Sequence, residues 1–378
     1  MTAATSVSLR IRGRSVRQFE PDQVLLTSKA AMAVPEWTPA SRVGPGDMVG
    51  IEYGGSWPSS PAALPVPDSS ALRGSEKAIR VPGEMTGDLA LLLGAYFAEG
   101  HTSAKTWTVT ITNSVDEVLE QVALAWDSVF GLTARIDRPV DRCPSVSVSS
   151  RRLVLFMRQL ECGSRASVKR VPDAILGGTR DHALRFLQGA ALDAYTTCSH
   201  AGKWAICLDT QVGIDGLQDL LTHLGIVNAQ IGKFNKLNGK TYPELYAPGP
   251  AGQRLTEFVP FLEPGKEAAA ERYRARVYCQ RDRDVIPGIT GRELYDLIPV
   301  GRCGRNGRGT GRQRFRYLND ARTLNVSRHG VQLVRDAGAA LPAWLAAILE
   351  SRTRFATVLD TACASSTPNS VRSCVKGQ

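Results

Sequence analysis

Two stretches of this chain repeat one pattern: Leu92-Leu93-Gly94-Ala95-Tyr96-Phe97-Ala98-Glu99-Gly100 and Phe186-Leu187-Gln188-Gly189-Ala190-Ala191-Leu192-Asp193-Ala194. Each is an apolar helix pattern with small residues inside it and one carboxylate at its C-terminal end. Internal repetition on this scale constrains the fold more than any other feature, because each copy can bury its apolar face against the other. The acids are followed by similar polar runs, Gly100-His101-Thr102-Ser103 and Ala194-Tyr195-Thr196-Thr197. The pattern predicts two helices packed as a pair, with two acids side by side at one end.

The repeat continues past the motifs. Strand-like runs follow, Trp107-Thr108-Val109-Thr110-Ile111 and Trp204-Ala205-Ile206-Cys207-Leu208. Amphipathic helix patterns come next, Val115 to Phe130 and Val212 to Leu224, each ending at a glycine (Gly131, Gly225) where a left-handed cap is expected. The interval from Glu99 to Gly131 equals that from Asp193 to Gly225, which makes Asp193 the counterpart of Glu99. Closing helices carry Leu153-Val154-Leu155-Phe156 and Leu255-Thr256-Glu257-Phe258. The class is α+β with two pseudo-symmetric halves. The copies differ in phase: Gly94 precedes its acid by five positions and Gly189 by four. In regular α-helices that offset would turn Asp193 by about 100°.

On these residues the chain resembles the LAGLIDADG homing endonucleases of the intein-encoded type. Ser167-Val168-Lys169-Arg170-Val171-Pro172-Asp173-Ala174-Ile175-Leu176 is similar to the link before the family's second motif. Asp284-Val285-Ile286-Pro287 and the stretch from Arg316-Tyr317 to Ser327-Arg328 resemble segments that follow the nuclease core in inteins. The resemblance covers roughly residues 15–360 and implies two αββαββα-type halves. Near the N-terminus, Phe19 to Thr27 and Trp37 to Val49 look like part of a Hint (splicing) domain, with Glu20 and Gln23 where inteins usually carry Thr and His. With no opening nucleophile and no terminal His-Asn in the resemblance, self-splicing is not expected. The expected organisation is a partial all-β Hint-like remnant over 1–55, a Gly/Ser/Pro-rich linker over 56–84 and an endonuclease core over 85–265 with halves 85–165 and 166–265. A helical, basic accessory region over 266–350 and a remnant strand with an unmatched tail over 351–378 complete it. Helix patterns are read at Gly291 to Ile298, Ser327 to Ala337 and Leu341 to Leu349, with Ser327 as an N-cap.

The resemblance implies site-specific, metal-dependent cleavage of double-stranded DNA, with Glu99 and Asp193 as catalytic and metal-binding acids and Mg²⁺ as cofactor. The chemistry suits those residue types: Mg²⁺ is held by one or two carboxylates plus substrate phosphate, and paired metals orient water and stabilise the leaving oxygen. Lys240 and Arg142, each just before a strand, are the expected basic auxiliaries. Thr108, Thr110, Thr112, Arg135, Gln230 and Lys233 lie on expected strands and are candidates to face DNA. The shifted second motif leaves an alternative, a single-strand nickase or a catalytically impaired DNA-binding protein on the same scaffold; an intein splicing through non-standard residues is a third class.

A net charge of +10 and a pI near 9.3 favour a polyanionic partner. Between residues 302 and 328 lie Arg305, Arg308, Arg312, Arg314 and Arg316 among glycines, a run suited to phosphate contacts. The eight cysteines show no C-x-x-C pair, so a structural zinc site is not expected, and together with the lack of a signal peptide they fit a reducing cytoplasm, in a bacterium or phage. Apolar runs are broken well before ~20 residues, so no membrane partner is expected. A monomer with internal pseudo-two-fold symmetry is the expected state.

Overall fold

The computed structural model describes residues 4–65, 78–199, 201–278, 284–299, 311–319 and 326–365. The chain divides into two compact units, one built from residues 1–52 and 281–378 and the other from 53–280. The first unit is discontinuous: its two sequence segments are separated by the whole of the second.

The N-terminal segment supplies strands β1 (Ala4–Ile11), β2 (Val16–Phe19), β3 (Val24–Ser28), β4 (Glu36–Pro39) and β5 (Met48–Glu52).

The second unit is a twofold repetition. Helix α1 (Gly87–Glu99) leads into β6 (Gly100–Ser103), β7 (Thr108–Thr112), α2 (Asp116–Phe130), β8 (Arg135–Asp137), β9 (Ser145–Ser149) and α3 (Arg151–Gln159). After the short α4 (Asp173–Leu176), α5 (Arg180–Ala190) leads into β10 (Ala194–Thr197), β11 (Lys203–Cys207), α6 (Gln211–His223), β12 (Ala229–Asn235), β13 (Lys240–Pro248) and α7 (Gly249–Phe258), with α8 (Pro264–Arg274) behind it. Both halves make antiparallel four-stranded sheets of matching order, β6-β7-β9-β8 and β10-β11-β13-β12. The fold is α+β, with the element order expected for each half.

Local chemistry sets these boundaries. The α1 N-cap, Thr86, accepts from Leu89 N at 3.2 Å, and Asp88 sits in the first turn; the α5 N-cap, Thr179, accepts from His182 N at 3.3 Å ahead of Asp181. Gly131 at φ +65° and Gly225 at φ +77° make the left-handed turns that close α2 and α6. Helix α1 is buried from Leu89 through Phe97, as expected of a helix apolar all round. Val109 and Ile111 of β7 and Trp204 and Ile206 of β11 turn inward onto one continuous core shared by the two halves. Alternation leaves the opposite face of each sheet open.

The chain then returns to the first unit with β14 (Val285–Ile286), α9 (Gly291–Asp296), β15 (Val326–Ser327), α10 (Arg328–Asp336), α11 (Ala343–Glu350) and β16 (Thr353–Ser365). Strand β16 lies between β1 and β5 in a six-stranded sheet of order β2-β1-β16-β5-β3-β4. Ser327 caps α10, accepting from Gly330 N at 3.1 Å. The guanidinium of Arg328 pairs with Asp284 at 3.1 Å and donates to the carbonyl of Leu349, fastening α10 to the end of α11. The helices have their own apolar cluster around Ile286, Leu294, Val331 and Leu345, apart from the sheet cluster around Leu9, Val49 and Val358. No helix among the described residues is long and apolar enough to cross a membrane.

Candidate active site

The acids are positioned by how closely α1 and α5 approach. A Cβ on Gly94 would lie 2.0 Å from the carbonyl oxygen of Phe186 and 2.8 Å from Ala190 N; one on Gly189 would lie 2.2 Å from the carbonyl oxygen of Leu91 and 2.5 Å from Ala95 N. These contacts are reciprocal, since Leu91 and Ala95 stand to Gly94 as Phe186 and Ala190 stand to Gly189. Each glycine is the point where one backbone touches the other, and nothing larger fits.

From these equivalent glycines the two acids are five and four residues away, yet they meet. The reason is the last turn of the second motif. Helix α1 stays α to Glu99, with Gly100 N donating to the carbonyl of Tyr96, whereas after α5 residues Ala191–Asp193 form a 3₁₀ turn. Five α steps rise about 7.5 Å, and one α step plus three 3₁₀ steps also rise about 7.5 Å. The tighter winding recovers roughly 60° of the roughly 100° that a missing residue would cost. Asp193 is therefore not turned away, contrary to the sequence expectation.

Glu99 and Asp193 are half-buried, and their carboxyls lie within hydrogen-bonding reach of each other. Burial, the Asp193 charge and that hydrogen bond push Glu99 up to about 7, while Lys169 and Lys266 oppose the shift. Asp193 is raised as well, chiefly by burial, against the hydrogen bond from Glu99 and the same two lysines. Both shifts run the same way, so the pair holds on to a proton that two separate solvated carboxyls would release.

The cations beside the pair are Lys169 and Lys266. Lys169 Nζ donates to the carbonyl of Ala98 at 2.9 Å, and Lys266 Nζ donates to the carbonyl of Leu192, so each lysine binds the residue just before one acid. Lys169 is buried, and burial brings its ammonium down to about 8 in spite of the acids. Lys266 also pairs with Glu263 at 2.9 Å. Each lysine segment is also tied down elsewhere: the Lys169 carbonyl accepts from Thr210, the N-cap of α6, at 2.7 Å, and Glu263 accepts from Asn113 at 3.4 Å.

The expected auxiliaries lie elsewhere. Lys240 begins β13 at the exposed end of its hairpin, five residues from Leu245, which lies level with Ile206 and Ala194 in the sheet. That is roughly 17 Å of strand. Arg142 sits in the exposed β8–β9 loop, with Asp141 at 3.8 Å. Lys169 and Lys266 lie in segments beyond the closing helices, where the sequence repeat stops. Both follow the closing helix of a half, α3 or α7, and that shared position pairs them.

The open faces of the sheets hold most of the other candidates. Thr108, Thr110 and Thr112 alternate with the buried Val109 and Ile111 and point outward; Thr108 meets Ser149 at 3.2 Å. Arg135 is exposed and pairs with Asp137 at 2.6 Å. Gln230 is a correction: its amide bonds to Asp215, Gln218 and Gln211 of α6 at 2.9–3.0 Å, so it faces the covering helix rather than the open side. Lys233 is on the open face, donating to Tyr195 at 3.1 Å and pairing with Glu244 at 3.3 Å. Glu244 was unforeseen. Burial alone would raise its carboxyl, but hydrogen bonds from Lys203 and Tyr195 hold it below the usual carboxylate range. Arg305 and Arg308 lie outside the described residues, as do the side chains of Arg312 and Arg314; Arg316 is exposed on the 3₁₀ segment Gly311–Asn319 of the other unit.

A divalent cation fits the donor set at the acid pair. Two half-buried carboxylates that repel each other gain from a shared cation, and the carbonyls of Ala98 and Leu192 beside them already accept ammonium groups. Among the described residues no group of three or more His, Cys, Asp or Glu side chains is placed to hold a metal. Two carboxylates with water and phosphate completing the shell is an arrangement suited to a hard divalent cation.

No family model matches the chain. Over 162 residues, 41% of the chain, the sequence is 31% identical to the replication factor C small subunit of Methanocaldococcus jannaschii, and the match spans 8% of that relative's length. Among solved structures the chain is similar to the homing endonuclease I-DmoI in complex with DNA and Mn, over 46% of this chain and 96% of that one, at 15% identity and TM-score 0.35. It is similar to the homing endonuclease I-WcaI bound to its DNA recognition sequence, over 49% and 85%, at 13% identity and TM-score 0.36. A third is full-length DUF199/WhiA from Thermatoga maritima, over 68% and 93%, at 11% identity and TM-score 0.35. Identities this low and TM-scores below 0.5 leave a loose likeness of fold.

Proposed function

We propose that the chain is a metal-dependent DNA endonuclease of the LAGLIDADG type, in which Glu99 and Asp193 form one shared catalytic centre and both strands of a duplex are cut. The observation that carries this reading is the half-buried, mutually coupled acid pair at the foot of two closely packed helices, with a lysine on the carbonyl before each acid. A merely structural helix pair would not bury two carboxyls against each other, since that arrangement costs stability.

In this account Glu99 and Asp193 hold divalent cations once their shared proton is lost. The bound cations would supply an activated water and neutralise charge on the leaving oxygen. Lys169 and Lys266 are positioning residues: they hold the two helix ends and lower the cost of ionising the acids. The open sheet faces, with Thr108, Thr110, Thr112, Arg135 and Lys233, would lie along the duplex, where base edges carry distinct donor and acceptor patterns.

We read the discontinuous unit as a Hint-like remnant around an inserted nuclease, which makes the chain intein-derived and defective in splicing. Two features support this: one sheet assembled from both flanking segments, and Glu20 and Gln23 in place of Thr and His. Expression between foreign flanks tests it, since this reading predicts a product of unchanged mass. The nuclease reading is tested by incubating the protein with a plasmid library carrying random inserts, with Mg²⁺ or with EDTA. Mg²⁺-dependent linear product is expected; a gel shift without any cleavage would favour the binding-only alternative.

A further inference from the structure

The second half has an arm that the first half lacks. Strands β12 and β13 pair from Ala229↔Tyr246 out to Asn235↔Lys240, while β11 borders β13 only from Lys203↔Pro248 to Cys207↔Glu244. Leu208 N still donates to the Pro243 carbonyl at 3.3 Å, and beyond it the hairpin is a two-stranded ribbon that projects roughly 10 Å past its neighbour. In the first half, β8 and β9 pair only from Arg135↔Ser147 to Asp137↔Ser145, and β7 borders β9 along the whole of that length.

The tip of the ribbon is apolar, basic and rigid. Leu237 is 97% exposed and Phe234 61%. Lys236 and Lys240 are exposed beside them, and no acid occurs from Ala229 to Pro243. The turn is pinned at both ends. Asn235 Oδ1 accepts from Leu237 N at 2.9 Å, Asn238 Oδ1 accepts from Lys240 N at 3.1 Å, and Asn238 Nδ2 donates to Tyr242 Oη at 2.7 Å. Gly239, at φ +68°, donates to the carbonyl of Asn235 at 2.9 Å. A bare leucine on a braced turn is already ordered for burial, so little entropy is lost when it docks.

We propose that this ribbon is a DNA-bending arm: Leu237 inserts at a base step of duplex DNA while Lys236 and Lys240 contact the neighbouring phosphates. The occupant is argued from charge. Interleaved lysines with no acid suit a polyanion, and apolar side chains are what proteins insert between stacked bases to kink a duplex. The inference rests on the nucleic-acid reading above and adds a second contact site, remote from the acids.

The test needs neither a known target nor cleavage. Closed circular plasmid is relaxed by a metal-independent topoisomerase in EDTA, with the full-length protein present, and the topoisomers are resolved on a gel; binding is measured in parallel by gel shift. Base-step insertion unwinds DNA, so wild-type protein shifts the distribution. Leu237→Ser abolishes the shift and weakens binding roughly tenfold. Lys236→Ala and Lys240→Ala each lower the salt-dependence slope by about one. Wild-type protein that binds without altering the topoisomers, or a Leu237→Ser protein that alters them equally, overturns the wedge and leaves the nuclease reading standing. Failure of wild-type protein to bind the plasmid overturns both. Since Leu237 touches little of the fold, an unchanged melting temperature shows that Leu237→Ser is folded.

Discussion

The two halves share one skeleton and differ where they meet solvent. Their motif helices touch through equivalent glycines, their sheets have the same strand order, and each ends in a lysine fastened to the residue before its acid. The open face of the first sheet is lined by hydroxyls: Thr108, Thr110 and Thr112 beside Ser145, Ser147 and Ser149. The second carries Tyr195, Lys203, Lys233 and a buried Glu244, and extends into a ribbon. A helix pair with no room for a Cβ at either crossing glycine has no latitude, whereas a solvated sheet face can change at every second residue. Under the proposed function, one scaffold with two unlike faces suits a DNA site whose halves differ in sequence.

The helix contact is where the comparison is easiest to break. Gly94→Val and Gly189→Val should be equally damaging, each losing more than about 3 kcal/mol, because each would drive a side chain into the opposite backbone. Urea unfolding measures both, and tolerance of either one would mean the glycines are not equivalent.

The acid pair comes next. Burial and the Asp193 charge push the folded Glu99 carboxyl up to about 7, above its ordinary 4.5. Between those values the folded state keeps a proton that the unfolded chain has lost, so stability falls as pH rises through that window. The penalty is complete above pH 7, on the order of 2 kcal/mol once discounted for partial exposure. Metal-free protein should thus lose stability from this pair between pH 5.5 and pH 8, and Glu99→Gln should remove most of that loss while abolishing cleavage. Parallel thermal scans of the two proteins over that range are decisive; identical pH dependence would refute the buried pair.

Smaller effects sharpen the symmetry of the lysines. Lys169→Met and Lys266→Met each remove a charge that holds the acids' values down, so the pH profile of Mg²⁺-dependent cleavage should move to higher pH by roughly one unit. A shift in only one variant would show that the lysines are unequal partners. The smallest effect separates the two sides of the second sheet. Gln230→Ala should leave DNA affinity unchanged and cost about 1 kcal/mol of stability or less, whereas Lys233→Ala should lower the salt-dependence slope by about one.

Much of this was legible in the sequence because repetition reports packing. The equal intervals from acid to glycine paired Glu99 with Asp193 and predicted both left-handed caps, and the alternation of Thr108, Thr110 and Thr112 with Val109 and Ile111 showed which side faces out. The meeting of the acids despite unequal spacing was not legible. A change from α to 3₁₀ winding over Ala191–Asp193 leaves no mark in composition, and a periodicity argument assumes one helix type throughout. Gln230 and Lys233 are three residues apart on one strand, so parity allows only one of them to face outward, and the covering helix takes Gln230. Lys240 and Arg142 were chosen by sequence position before a strand; the lysines that touch the site come from connecting segments, whose path only tertiary structure supplies.

The most direct test of the shared centre is strand-resolved cleavage of supercoiled plasmid carrying a random-insert library, comparing wild-type, Glu99→Gln and Asp193→Asn proteins with Mg²⁺. The account predicts linear product from wild-type protein, and neither linear nor nicked product from either variant, because each acid depends on the other. Nicked circles that survive Asp193→Asn but not Glu99→Gln would contradict it, showing that Glu99 works alone.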